Sequence, residues 1–302
     1  MVLIIYVNRT ILNALRLELL NRTSLDDIPE DVWSRVASLN TWGTNAVEGN
    51  SLTKEEVDQL VLRNSGVGNK PIRDILETVQ HQQTFLKTCM EPRKKLDLVL
   101  ILEMHDSVFR GILRDAGQWR RVNVKVSGSV LSPPRMEKVI ESMVNWLKEY
   151  SEADVAGEDV FKLAAKMHHG FESIHPFSDG NGRIGRLLLN IHFLHHNWPP
   201  VSILPGDRET YLDAFAKADG GDFEPLEGLL EVLMSRSLLD FLESLGTSQD
   251  RLQPLKDLEK LTAHSSKYLA LRASQGAFPA LKSKGEWKSS RRALELYRCK
   301  GA

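Results

Sequence analysis

The run His175-Pro176-Phe177-Ser178-Asp179-Gly180-Asn181-Gly182-Arg183-Ile184-Gly185-Arg186 brings an imidazole, a carboxylate, an amide, three glycines and two guanidiniums together just ahead of an apolar helical stretch. Gly180 and Gly182 let the main chain turn tightly and bring its N–H groups close to an anion. The helix that starts there adds unpaired N–H groups and the positive end of its dipole. Arg183 and Arg186 lie three apart and share one helix face near that start, which suits a polyphosphate. Asp179 offers the hard oxygen that Mg2+ takes when it is shared with substrate phosphates. His175 has an ordinary pKa suited to proton abstraction near neutrality. A glycine-rich helix start with arginines on a solvated face is the plain alternative, and the length of the pattern weighs against it.

The elements that must hold this run read as helices. From residue 10 to 245 apolar residues recur at spacings of three and four, as in Leu12, Leu15, Leu19 and Leu20, or Leu98, Ile101, Leu102, Val108 and Phe109. Leu187, Leu188, Leu189, Ile191, Phe193 and Leu194 predict a buried central helix that ends at Pro199-Pro200. Between Gly117 and Pro134 the pattern changes to alternation through Trp119, Val122, Val124, Val126 and Val130, which predicts a hairpin. The fold class expected is all-α, with an N-terminal helical region over 1–95, a core over 96–245 and a basic module over 251–302.

With 302 residues and 42% apolar side chains the chain can bury a sizeable core. Cys89 and Cys299 are its two cysteines, which leaves neither a disulfide framework nor a CxxC metal site and fits a reducing, cytoplasmic setting. The apolar start, Val2 to Val7, is short for a signal peptide and runs into Asn8 and Arg9. No later run approaches spanning length, so no membrane partner is expected. The formal net charge of −1 hides an asymmetry: residues 251–302 hold 12 Lys+Arg against 4 Asp+Glu, a balance of +8. In that segment Ser265-Ser266 predicts a helix cap and Gly276 a stop. Phe278 to Trp287 alternates around Lys284-Gly285, and Ser289-Ser290 caps a last helix with Ala293, Leu294, Leu296 and Tyr297. This outline is similar to the excisionase or MerR-like winged helix. A basic appendage packed on the core fits the same residues.

The twelve-residue run matches HPFx(D/E)GNGRxxR at every specified position, and here the chain resembles the Fic family. The resemblance implies a Fic-fold helical bundle with a β-hairpin flap. It implies a protein adenylyltransferase that moves AMP from MgATP to a Ser, Thr or Tyr hydroxyl of a protein target, itself included, with ATP as substrate and Mg2+ as cofactor. In that family the base is the residue matching His175, and the metal ligand is the one matching Asp179. Gly180, Asn181, Gly182, Arg183, Gly185 and Arg186 would bind the nucleotide, Asn181 at the α-phosphate, Arg183 at the β and Arg186 at the γ. Val124, Lys125, Val126, Ser127, Gly128 and Ser129 match the flap that docks the target in strand fashion, although an ordinary hairpin would have the same pattern.

Thr44-Asn45-Ala46-Val47-Glu48-Gly49-Asn50 has the (S/T)xxxE(G/N) form of the family's inhibitory helix, in the group that carries it on the N-terminal side. Glu48 paired with Arg186 would withhold the cation meant for the γ-phosphate; read alone, Glu48 is a helix-end residue. A related expectation is that Glu48 orients a water for de-AMPylation. Tyr211, Leu212 and Asp219 resemble the segment that packs on adenine, with Asp219 where an asparagine is often found. Tyr211 and Phe215, four apart, fit a core face as well. His168, His169, His192, His195 and His196 invite a metal reading, which ranks below helix-surface or core histidines. A homodimer and DNA contact through 251–302 complete the expected partners. The alternative from another class is a DNA-binding regulator in which the Fic core is a scaffold.

Overall fold

Short polar side chains set where several helices begin. Asn8 accepts from the Thr10 N–H at 2.9 Å, Thr53 and Glu56 form a reciprocal capping box, and Asp97 and Asp159 accept from first-turn N–H groups. The computed structural model describes residues 8–90, 96–125, 132–283 and 285–300. In chain order its α-helices are α1 (Arg9–Leu20), α2 (Glu30–Val47), α3 (Lys54–Val61), α4 (Ile72–Met90), α5 (Leu98–Phe109), α6 (Val139–Val155) and α7 (Val160–Ile174). They continue with α8 (Asn181–His195), α9 (Arg208–Asp219), α10 (Glu224–Leu245), α11 (Leu255–Glu259), α12 (Ser266–Ser274) and α13 (Arg291–Lys300). Three short strands, β1 (Gln253–Pro254), β2 (Leu281–Ser283) and β3 (Glu286–Ser289), form one antiparallel sheet in the order β1-β3-β2. The protein is thus helical, as expected. Among the described residues no helix is long and apolar enough to cross a membrane.

The contacts divide the chain into two compact units. Residues 33–197 and 202–226 form one of them. Its centre is α8, in which thirteen of fifteen residues are buried, with α7, α4 and α5 packed against it and α6 against α7. The apolar run after the glycine loop therefore makes the central helix that its pattern predicts. His192 and His196 are held by different polar partners. His192 donates through Nε2 to the Val160 carbonyl at 2.9 Å and accepts at Nδ1 from the Tyr150 hydroxyl, while His196 meets Asp154. Among the described residues no group of three or more His, Cys, Asp or Glu is arranged to hold a metal ion.

The other unit gathers residues 1–32, 198–201 and 227–302. Ser265 caps α12, Gly276 follows its end at φ +78°, and β2 pairs with β3 through Leu281–Lys288, Lys282–Trp287 and Ser283–Glu286. These follow the pattern read from the tail. The two-residue strand β1 and the short α11 do not, because elements of two and five residues are too short to show a period. Part of the basic surplus is consumed within this unit, where Arg292 donates to the buried Asp250 at 2.6 Å and pairs with Glu18 at 3.0 Å.

Gly43 marks a close crossing inside the first-described unit. A Cβ there would lie 2.5 Å from the Ile203 carbonyl oxygen, a main-chain atom that cannot swing aside. In an open helix interior, Gly→Ala stabilises by about 1 kcal/mol. Here the clash reverses the sign, and Gly43→Ala is expected to lower the thermal midpoint, as read by circular dichroism.

Candidate active site

The loop between α7 and α8 starts with a strained residue. His175 follows the last turn of α7 at φ +51°, the left-handed position usually given to glycine, and its N–H returns to the Phe171 carbonyl at 3.0 Å. For a side chain with a Cβ this costs roughly 1 kcal/mol. Arg120 holds the strained turn in place. Its buried guanidinium donates to the carbonyls of His175 (2.8 Å), Ile174 (3.4 Å), Val122 (2.8 Å) and Pro134 (2.5 Å), and its main-chain N–H donates to Pro176 at 2.9 Å.

The floor of the loop is aromatic. Phe177 is buried and stacks on His105 with ring centroids 3.7 Å apart. His105 accepts at Nδ1 from the Gly117 N–H and must then donate from Nε2 to the Asp179 carbonyl, at 3.1 Å. The Asn181 side chain closes the loop from within, accepting from the Phe177 N–H at 2.8 Å and donating to the Phe177 carbonyl at 2.9 Å. Both ends of its amide are therefore engaged. The amide nitrogen keeps a second N–H, and the main-chain N–H of Asn181 lies at the helix start.

The imidazole of His175 is poised in one tautomer. Nδ1 lies 3.2 Å from the main-chain carbonyl of Glu172, which can only accept, so Nδ1 carries the proton and Nε2 carries the lone pair. Burial lowers the His175 pKa from its ordinary value, and nearby Arg120 adds to the effect. The ring is thus neutral at neutral pH and basic at Nε2. Beneath it lies the carboxyl of Glu172, pushed up to about 8 by burial, with Oε1 lacking a hydrogen-bond partner.

The start of α8 forms a cradle. Gly180 occupies the N-cap at φ +83°, where a Cβ would stand 2.3 Å from the Phe109 ring. With no cap side chain, the first N–H groups of α8 have no acceptor inside the helix. At Gly182 a Cβ would lie 2.2 Å from Glu48 Oε1, and at Gly185 it would lie 2.2 Å from Glu172 Oε1. These two glycines keep room for carboxylates against the helix.

Both motif arginines are buried and each is met by a carboxylate. Arg186 donates from Nη2 to Glu48 Oε1 at 2.6 Å and from Nε to the Thr44 hydroxyl at 2.6 Å. Burial opposes the Glu48 charge, but the charge and hydrogen bond of Arg186 outweigh it and hold the carboxyl below the ordinary range. Burial would likewise lower Arg186, and Glu48 raises it above the ordinary value. Glu48 is placed by the end of α2, where Gly49 N–H to Ala46 and Asn50 N–H to Asn45 close a Schellman turn with Gly49 at φ +90°. Arg183 Nη1 meets Glu77 at 2.6 Å, and its guanidinium lies over the Phe109 ring at 4.5 Å.

Four residues outside the sequence reading complete this framework: Arg73, Glu77, His105 and Arg120. Arg73 donates from Nε to Glu77 at 2.8 Å and from Nη2 to Asp179 at 2.5 Å. One signal pointed to the first two. Arg73, Glu77 and His81 recur every four residues on α4, a polar stripe on a face whose later member Phe85 is core. His81 meets Thr41 of α2, and Asn45 donates to Thr78, so α4 braces the helix that carries Glu48 as well as the helix that carries Arg183.

The residues expected around adenine also have partners within the protein. Tyr211 is buried with its hydroxyl 2.7 Å from His168 Nε2, and Asp219 is paired with His169 at 2.9 Å with little exposure. The aromatic character of Tyr211 and Phe215 is thus spent on packing against His168 and each other. Leu212 is 43% exposed. In the flap segment, Val124 and Lys125 are described and form no strand, nor do residues 119–123; Val126, Ser127, Gly128 and Ser129 lie outside the described residues.

A neutral imidazole fixed in one tautomer thus stands next to a helix start supplied with N–H groups and two guanidiniums, within a helical domain. Residues 95–193 of this chain match the Fic/DOC family. Protein adenylyltransferase fic-1 of Caenorhabditis elegans is 28% identical over 234 residues, covering 76% of this chain and 45% of the relative. Protein adenylyltransferase Fic of Nematostella vectensis is 29% identical over 206 residues, covering 67% and 48%. The chain thus spans about half the length of these relatives. A Fic domain containing signaling protein from Bacteroides thetaiotaomicron shares the fold, with a TM-score of 0.69 at 23% identity over 77% of this chain and 97% of that one.

Glu172 makes a pH-dependent contribution that can be isolated. Its folded-state pKa is raised from the ordinary 4.5 to about 8, so between those values the folded protein holds a proton that the unfolded chain has released. Its contribution to stability is complete below pH 4.5 and is lost as pH rises through 8. Relative to Glu172→Gln, which cannot titrate there, the wild-type protein is expected to lose stability across this interval, measured as the difference between their urea midpoints.

Proposed function

We propose that this chain is an autoinhibited protein adenylyltransferase that transfers AMP from ATP to a Ser, Thr or Tyr hydroxyl of a protein. The observation that carries the reading is the fixed tautomer of His175, which leaves a basic Nε2 at the mouth of an anion-binding helix start. The hydroxyl oxygen attacks the α-phosphorus, its proton passes to His175 Nε2, and the bond to the bridging oxygen of the β-phosphate breaks to release pyrophosphate. The N–H groups at the start of α8 receive the charge that develops on the α-phosphoryl oxygens. The curated names of the relatives agree with this activity.

Asp179 fits a divalent cation held largely by substrate oxygens. It is 43% exposed, and although burial opposes its ionisation, Arg183 and Arg73 hold its pKa below the ordinary carboxylate range. Mg2+ bound there would neutralise charge on the triphosphate. Restraint comes from Glu48, whose bond to Arg186 competes with a γ-phosphate for the same guanidinium. In this reading 96–245 is the catalytic core, the end of α2 within 1–95 is the inhibitory element, and 251–302 is a separate basic module. The remaining adenine-facing and flap assignments rest on the family resemblance.

Glu48→Gly is expected to raise incorporation of labelled AMP into the protein itself, and His175→Ala in that background to reduce it by about 10²–10⁴-fold, read by mass spectrometry. Because the imidazole must be neutral to accept the proton, its lowered pKa places the acidic limb of the rate profile below pH 6.5. An acidic limb at or above 6.5 would count against His175 as the base.

A further inference from the structure

A guanidinium outside the glycine-rich motif stands at the edge of the phosphate site. Arg73 lies in the first turn of α4 with its side chain 51% exposed. Nη2 is 2.5 Å from Asp179 Oδ2 and Nε is 2.8 Å from Glu77 Oε1. The other oxygen of Glu77 holds Arg183 Nη1 at 2.6 Å, and the other oxygen of Asp179 receives the Gly180 N–H at 2.6 Å. Two shared carboxylates thus separate Arg73 from the N–H cradle and from Arg183.

We propose that Arg73 is a third phosphate-binding cation of this site, aimed by Glu77 and held on Asp179 until a nucleotide arrives. The proposal rests on the nucleotide-binding reading above. Glu77 is buried and already fixed by Arg183, so it pins one edge of the Arg73 guanidinium while the other edge stays at the solvent side. A guanidinium has five N–H donors in a planar fork, and Glu77 takes the Nε edge. The contact to Asp179 joins two half-exposed groups and exchanges readily with water. When Asp179 accepts a divalent cation, like charges meet at one carboxylate, and Arg73 loses that partner without losing Glu77. The triphosphate is then the anion within its reach.

Charge accounting favours the same outcome. Arg73, Arg183 and Arg186 are matched by Asp179, Glu77 and Glu48. Withdrawal of Glu48 and engagement of Asp179 by a cation leave Arg186 without its carboxylate and leave Arg73 and Arg183 sharing the single carboxylate of Glu77, a surplus of positive charge at the time the polyphosphate is bound. A role confined to blocking Asp179 makes the opposite prediction, because removing a blocker tightens binding.

The test uses the full chain carrying Glu48→Gly, titrated calorimetrically with ATP and with AMP, in Mg2+ and in EDTA. Arg73→Ala is expected to weaken MgATP binding about tenfold, to leave AMP binding nearly unchanged, and to be partly rescued by Arg73→Lys. Unchanged or tighter MgATP binding by Arg73→Ala overturns the proposal, the second result assigning Arg73 to blockade. An equal loss for ATP and AMP also overturns it, because it reports damage to the site as a whole. If the Glu48→Gly protein with Arg73 intact binds no ATP, the nucleotide-binding reading itself falls, a result distinct from loss of the Arg73 role alone.

Discussion

Two guanidiniums at the start of a buried helix must be given partners, and the unit built around α8 is arranged around that requirement. Arg183 and Arg186 are each only 4% exposed. A buried charge without a partner costs several kcal/mol, so α8 cannot sit at the centre of its unit unless carboxylates reach it. Glu77 arrives from α4 and Glu48 from the end of α2. The glycines on the same helix leave space for such neighbours, with Gly182 facing Glu48 and Gly185 facing Glu172. Charge burial in this way ties helices far apart in sequence to one turn of chain.

The same requirement links stability to function. In the proposed reading, the partner that lets Arg186 be buried in the free protein competes with the phosphate that would engage it during the reaction. Removing Glu48 therefore has two effects, exposing a cation for substrate and leaving a buried charge unpaired when substrate is absent. Neighbouring residues share the load. Thr44 accepts from the Nε of Arg186, and Thr41 and Asn45 fasten the last turns of α2 to α4.

Much of the scaffold could be read from the sequence because it depends on local rules. The apolar run after the glycine loop is a buried helix, and the caps at Asp97, Asp159 and Ser265 sit at helix starts. The family resemblance around Glu48 implied a pairing with Arg186, and the two side chains meet. What local rules do not encode is how a polar side chain spends its hydrogen bonds. Asn181 uses its amide on Phe177, Asp219 uses its carboxylate on His169, and Tyr211 uses its hydroxyl on His168. Arg120 reads as one more basic residue near a hairpin until the four carbonyls around it are placed. Several of these contacts join residues far apart, 50 positions for Asp219 with His169 and 55 for Arg120 with His175, and leave no period in the chain.

The Schellman turn that ends α2 sets the scale of energy at which the bond between Glu48 and Arg186 opens. Glu48 is the last residue before Gly49, so its reach to Arg186 depends on a single terminal turn whose bonds run from Gly49 to Ala46 and from Asn50 to Asn45. Helix ends open with free energies far below that of global unfolding. Fraying of that one turn separates the carboxylate from the guanidinium while the rest of α2 stays docked on α4. In the proposed reading the hold of Glu48 on Arg186 is therefore governed by local opening, and heat or a ligand acting on a few residues loosens it without melting the fold.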